Sequence, residues 1–128
     1  MSPCPFCPPY GFVPCHESAL SLALRDGYPV SPGHTLVVPR RHVGSLFELS
    51  AAERDDLFAM VARAREGLER ELAPAGYNVG VNDGAAAGQT VAHVHVHLIP
   101  RYEGDQEDPR GGVRLIFPET ARYWEDGA

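Results

Sequence analysis

Apolar and polar residues alternate through ALSLALRD (19–26), where Leu20, Leu22 and Leu24 stand two apart. Period two predicts a half-buried strand, although the Ala and Leu content also suits a helix. GYPVSPG (27–33) reads as a turn, and HTLVVP (34–39) as a short strand stopped by Pro39. Beyond Ser50 the period changes. Leu57, Val61, Ala64, Leu68 and Leu72 recur at spacings of three and four, predicting a helix from about Ala51 to Leu72 with one apolar stripe. Ser50 and Glu53 form an S-x-x-E capping box at its start, and Pro74 and Gly76 are expected to end it. Two more strands follow, YNVGVN (77–82) and VAHVHVHLI (91–99), and VRLIF (113–117) is expected as a fifth. Pro3, Pro5, Pro8, Pro9 and Pro14 forbid a helix in the entry segment. Strands on either side of one long helix predict an α+β fold with helical cover on one face of the sheet.

At 128 residues, with no repeat and no linker, the chain reads as one domain over 1–128. A Pro- and Cys-rich arm (1–16) opens it, and a looser tail (102–128) closes it. The charge sum of −6 argues against a general nucleic-acid coat or a binder of anionic membranes. A small anionic ligand in one local pocket remains compatible with that sign. All eleven basic residues are Arg, so mechanisms that need a catalytic lysine are excluded. No apolar run approaches a transmembrane span, and MSPCPFCPPYGF lacks the pattern of a signal peptide. The expected location is cytoplasmic, where Cys4 and Cys7 in C-x-x-C read as metal or redox chemistry before disulfide.

Candidate chemistry concentrates in His93-Val94-His95-Val96-His97. On an extended backbone the three imidazoles share one face, and Val94, Val96 and Leu98 share the other. A lone histidine is usually a satisfied core residue, but three at period two seldom have that origin. A metal triad is one reading. A tri-His catalytic site would normally bring a carboxylate in the same motif, and none occurs between Gln89 and Pro100. The preceding loop favours phosphate chemistry. Gly84, Ala85–Ala87 and Gly88 let backbone N–H groups approach an anion, while Gln89 and Thr90 add neutral donors.

The segment G-Q-T-V-x-H-V-H-V-H-L-I-P-R (88–101) resembles the histidine triad signature of the HIT superfamily of nucleotide hydrolases and transferases. The similarity extends to RDGYPVSPGHTLVVPRRHV (25–43), the capped helix and Asn82. The GQTV and IPR flanks are most similar to the branch that cleaves diadenosine polyphosphates. The resemblance implies a HIT-like fold: a single antiparallel sheet of about five strands with one long helix packed on it. It also implies that His95 is a nucleophile forming a nucleotidyl-imidazole intermediate. His97 and His34 would contact the phosphate, with Gln89 and Thr90 bridging phosphate oxygens and leaving group, and Gly88 in the same loop. Asp26 matches the ribose carboxylate and Asn82 the ribose/phosphate amide, while Leu24 and Leu22 would line an adenine pocket. Gly27 departs from the family, standing where a branched apolar residue is common. Imidazole suits the nucleophile's role because its neutral nitrogen is abundant at pH 7.

Cys4-Pro5-Phe6-Cys7 reads as a redox pair, as half of a zinc site, or as two buried thiols. Pro8-Pro9 makes the helix N-terminus that a redox pair wants awkward. The resemblance favours structural Zn2+, held by Cys4, Cys7, His42 and His93, with no catalytic metal. A local alternative would use Cys15 and His16. A nucleotide substrate, most simply an adenine nucleotide, and a homodimer are implied in the same way. Arg101, Arg110 and Arg114 could serve a distal phosphate or leaving group, or be ordinary surface charge. Two other functions stay open: a non-catalytic zinc-stabilised nucleotide-binding module, and a metal-dependent hydrolase using the His cluster.

Overall fold

In the computed structural model, which describes residues 3–125, the chain forms a five-stranded antiparallel sheet with one long helix on it. Strands β1 (His16–Glu17), β2 (Ser21–Arg25) and β3 (Thr35–Pro39) precede helix α1 (Ala51–Glu71), and β4 (Gly76–Val81) and β5 (Val96–Arg101) follow it. The order across the sheet is β1-β2-β3-β5-β4. Residues 1–2 of the arm and 126–128 of the tail lie outside the described residues. Among those described, no helix is long and apolar enough to cross a membrane.

Strands β2 and β3 are buried on both faces, but by different partners. Ala23, Val37, Val94, Val96 and Leu98 pack beneath α1 against Leu57, Met60, Ala64 and Leu68. The opposite face carries Leu22, Leu24, Leu36 and Val38, and the arm covers them with Phe6. Full burial of a side chain such as Leu57 contributes roughly 1.5–3 kcal/mol, so the helix face is the principal core. Register places Leu24 opposite Leu36, Leu36 opposite His97, and His97 opposite Gly80. This transverse row, on the face away from α1, underlies the candidate site.

The start of α1 is built as its sequence predicts. Ser50 Oγ accepts from Glu53 N–H at 3.1 Å, and the Glu53 carboxylate accepts from Ser50 N–H at 2.8 Å. The stripe differs in two places: Met60 is buried, while Leu72, the C-cap, is 36% exposed. The stop also differs. Pro74 disfavours helical backbone at the residue before it, and Ala73 turns out at φ 46°. Gly76 therefore opens β4 and does not cap the helix.

The segment expected as a fifth strand, 113–117, is instead a 3-10 turn spanning Gly112–Ile116. Gly111 and Gly112 both take left-handed φ, at 90° and 43°, which reverses the chain where a strand would begin. The fifth strand is β1, paired through His16 with Ala23 and Glu17 with Leu22.

Candidate functional site

Gly33 sets the position of His34. Its φ is 86°, and a Cβ there would meet Leu68 Cδ2 and Leu72 Cδ1 at 2.8 Å, so only glycine lets the turn seat against α1. Ser31 Oγ donates to the Pro100 carbonyl at 2.8 Å, tying this turn to β5. His34 is consequently buried. Val30 N–H donates to His34 Nδ1 at 3.1 Å, so that nitrogen bears the lone pair and Nε2 bears the hydrogen. His34 Nε2 lies 3.0 Å from His97 Nδ1 and 3.4 Å from Asp26 Oδ2. His97 Nδ1 therefore accepts, which leaves the hydrogen on His97 Nε2 for a ligand.

The same reasoning fixes His95. Its Nδ1 lies 2.9 Å from the His93 carbonyl oxygen, which can only accept. Nδ1 carries the proton, and Nε2 presents its lone pair. Phe6 packs against this ring with centroids 5.2 Å apart, and the His97 ring lies 5.2 Å from it. His93 and His95 precede the β5 ladder, but alternation holds: Val94 stays in the α1 core, fixed by its N–H on the Val43 carbonyl at 2.8 Å.

His93 belongs to a second centre. Its Nε2 donates to the Pro39 carbonyl at 2.8 Å, which leaves Nδ1 unprotonated. That Nδ1 lies 3.4 Å from Cys4 Sγ, 3.5 Å from Cys7 Sγ and 3.1 Å from His42 Nδ1, and Cys7 Sγ lies 3.3 Å from His42 Nδ1. Tetrahedral zinc, with bonds of about 2.0–2.3 Å, requires ligand-to-ligand edges of roughly 3.3–3.8 Å. The three sulfur–nitrogen edges, at 3.3–3.5 Å, match that ion, and the imidazole pair at 3.1 Å would open slightly around it. Burial and the neighbouring Cys4 push the Cys7 thiol up, as expected of two thiols closing on one point. His42 is brought in by its neighbour: Arg41 spans both carboxylate oxygens of Glu53 at 2.8 and 2.9 Å, anchoring the segment to the helix cap. Cys15 and His16 are not part of the cluster; His16 lies on β1 against Gly67 of α1. The three triad rings do not converge on one point, since His93 faces the thiols while His97 faces His34 and Asp26.

Gln89 braces the phosphate-loop candidate. Its Nε2 donates to the carbonyls of Gly44 (2.8 Å) and Val91 (3.0 Å), and its Oε1 accepts from Gly84 N–H (2.8 Å). Gly88 and Thr90 lie exposed on the rim, and Gly88 turns through φ 92°. Asp26 Oδ1 accepts from Tyr28 N–H at 2.8 Å, and Leu24 packs in the apolar cluster with Phe6. Asn82 and His97 line a cavity of about 830 Å3 that extends under the tail. Phe6 was not singled out from the sequence, although its place between two metal-suited cysteines was a signal. Arg101, Arg110 and Arg114 are each engaged within the protein.

Burial pushes His34 and His97 below the ordinary imidazole value; His95 and His34 add to this at His97, and Asp26 opposes it at both. The unfolded chain therefore binds protons first on acidification. The contribution of these rings is complete above about pH 6.5 and is lost as pH falls through that value towards their lower folded values. Melting temperature is expected to fall between pH 7.5 and 5.5, and by less in His97→Asn. An equal fall in both proteins would contradict this.

An antiparallel sheet with alternating histidines on the face away from its one long helix defines a class of histidine-triad proteins. The HIT domain model matches residues 15–104, and the chain belongs to that family. It is 41% identical over 97 residues to a bis(5'-nucleosyl)-tetraphosphatase (asymmetrical) of Schizosaccharomyces pombe, a match covering 76% of this chain and 53% of that protein. It is 40% identical over 94 residues to an adenosine 5'-monophosphoramidase of the same yeast, covering 71% of this chain and 68% of the relative. The chain thus spans about half the length of the first relative. A zinc-bound histidine triad protein from Mycobacterium smegmatis has the same fold, with TM-score 0.69 and 33% identity over 76% of this chain and 70% of that one.

Proposed function

We propose that this protein is a nucleotide hydrolase or nucleotidyl transferase acting at a nucleoside 5'-α-phosphate through a covalent nucleotidyl-His95 intermediate. The observation that carries this reading is the His95 tautomer: with Nδ1–H on the His93 carbonyl, Nε2 is the nitrogen free to attack. In the first step Nε2 bonds to phosphorus. The bond to the leaving group breaks, and that group departs with the electron pair and takes a proton from solvent. In the second step water adds to phosphorus, the P–N bond breaks back to Nε2, and the water proton passes to solvent. His97, polarised by His34, donates from Nε2 to the phosphate, with Thr90, Gly88 and Asn82 around its oxygens and Gln89 bracing their loop. Asp26 takes the ribose hydroxyls, and Leu24 with Phe6 receives the base, most simply adenine.

Cys4, Cys7, His42 and His93 hold structural Zn2+, whose role is to cross-link the arm to the histidine segment; four protein ligands leave no open position. A homodimer joined at the sheet edge suits β4, which ends the sheet and leaves Val79 44% exposed. A reducing, cytoplasmic location suits the unpaired thiols.

The deciding assay incubates the protein with diadenosine tetraphosphate or adenosine 5'-phosphoramidate, with and without chelator, and follows AMP. Turnover that survives chelation is the expected result. Tight binding without AMP release would favour the nucleotide-binding module. Dependence on a loosely held divalent ion would favour the metal-dependent hydrolase.

A further inference from the structure

The family match ends at residue 104, yet the chain beyond it folds back over β4 and β5 and walls the 830 Å3 cavity. The return is fixed by polar contacts. Arg101 grips Asp105 through two bonds of 2.8 Å and Asn78 Oδ1 at 2.7 Å. Tyr102 donates to the Pro32 carbonyl at 2.6 Å. Further along, Asp108 takes Arg110 at 3.0 Å and Arg122 at 2.9 Å. Arg114 donates to the carbonyls of Ala121 and Thr120, at 2.9 and 3.0 Å, and lies over Tyr123. These contacts hold the tail's guanidinium groups in place as fasteners.

The cavity lies on one side of the phosphate-facing histidines. His34, His97 and Asn82 line one part of it, whereas Asp26, Leu24 and Phe6, assigned above to the nucleoside, do not line it. Its remaining walls are chiefly apolar: Val30 and Ile99 from the sheet side, with Val113, Leu115 and Ile116 from the tail. The one arginine in the lining, Arg101, is neutralised by Asp105. A polyphosphate chain would find no unpaired guanidinium among the described lining residues. A flat apolar group would find a cleft within the ~300–1,000 Å3 typical of small-ligand sites.

We infer that this tail-walled cavity is a leaving-group subsite, selecting substrates whose α-phosphate carries an aromatic group through a short link. The inference rests on the proposed reaction at His95 and names the class of group that departs. With an aromatic amine, the P–N bond breaks as Nε2 attacks, and the pair passes to the amine nitrogen, which takes a proton from solvent.

The test compares AMP phosphoramidates of benzylamine and of ammonia, with diadenosine tetraphosphate as the polyphosphate arm. Expected is a kcat/KM for the benzylamine compound about tenfold above that for the ammonia compound. Leu115→Asp should erase most of that ratio, and Leu115→Met should keep it. A binding readout independent of turnover is the chain's single tryptophan, Trp124, which stacks on Arg110 in the tail. In His95→Gly, the benzylamine compound should shift its emission where AMP does not. Equal kcat/KM for both amides, a ratio indifferent to Leu115→Asp, or a preference for the tetraphosphate overturns the subsite. Absent turnover with selective binding intact would instead overturn the His95 chemistry and leave the subsite standing.

Discussion

His95→Gly is expected to lose AMP release by about a thousandfold or more, because no neighbouring ring can substitute for Nε2 as the attacking atom. His93 Nδ1 faces the thiols, and His97 Nδ1 is taken by His34. Wild-type protein quenched during turnover of a slow substrate should carry one nucleotidyl group by intact mass, and the glycine variant should carry none. Added imidazole should restore part of the rate in His95→Gly by entering the space left beside Phe6. A His97→Asn protein should still form the adduct, more slowly, since it loses a donor to the phosphate and keeps the nucleophile. Undiminished cleavage by the glycine variant, or no adduct under any quench, would end the covalent reading.

The second large effect is on stability. Gently purified protein should contain one zinc per chain, and stripping it should lower the melting temperature by about 10 °C or more. The loss should precede any change in turnover per folded molecule, because the ion's four ligands would be protein groups and none of them is His95. Cys7→Ala should melt at the stripped temperature even with zinc added. Cobalt substitution should give the visible spectrum of a tetrahedral site with two sulfur ligands. Metal analysis finding no zinc, or a chelated protein that melts unchanged, would remove the ion from the account.

The parts of the fold legible in the sequence were those where one local rule acts alone. Ser50 and Glu53 could be read as a cap because the box closes within one turn, and alternation through 93–98 survived although the ladder begins only at Val96. Two residues carry no period, so β1 had no signature; its pairing with β2 comes from the return of the chain before Ser21. VRLIF has strand composition, but the paired glycines before it and Arg114 clamped onto Ala121 and Thr120 decide otherwise. Met60 joins the core because it stands three residues after Leu57 and four before Ala64, and Leu72 leaves the stripe because the helix ends at Glu71.

At the site, period-two spacing picked out the three triad histidines and the resemblance added His34, Asp26 and Asn82, while geometry supplied what spacing cannot. Which nitrogen bears each proton depends on carbonyls at Pro39 and His93 and on the N–H of Val30. The tail's place against the cavity depends on Arg101 meeting Asp105 and Asn78, and Asn78 lies far from it in the chain.

Glu53 joins the helix cap to the segment bearing His42, and its carboxyl is held down to about 2, chiefly by Arg41 and then by the Ser50 N–H. Thiolate and imidazole ligands, by contrast, compete with protons for a metal well above that value. Acid therefore dismantles this corner of the molecule in a set order. The grip on the proposed zinc would go first, and the clasp that aims residue 42 would be among the last to let go, so a neutralised sample would find its fourth ligand already pointing home.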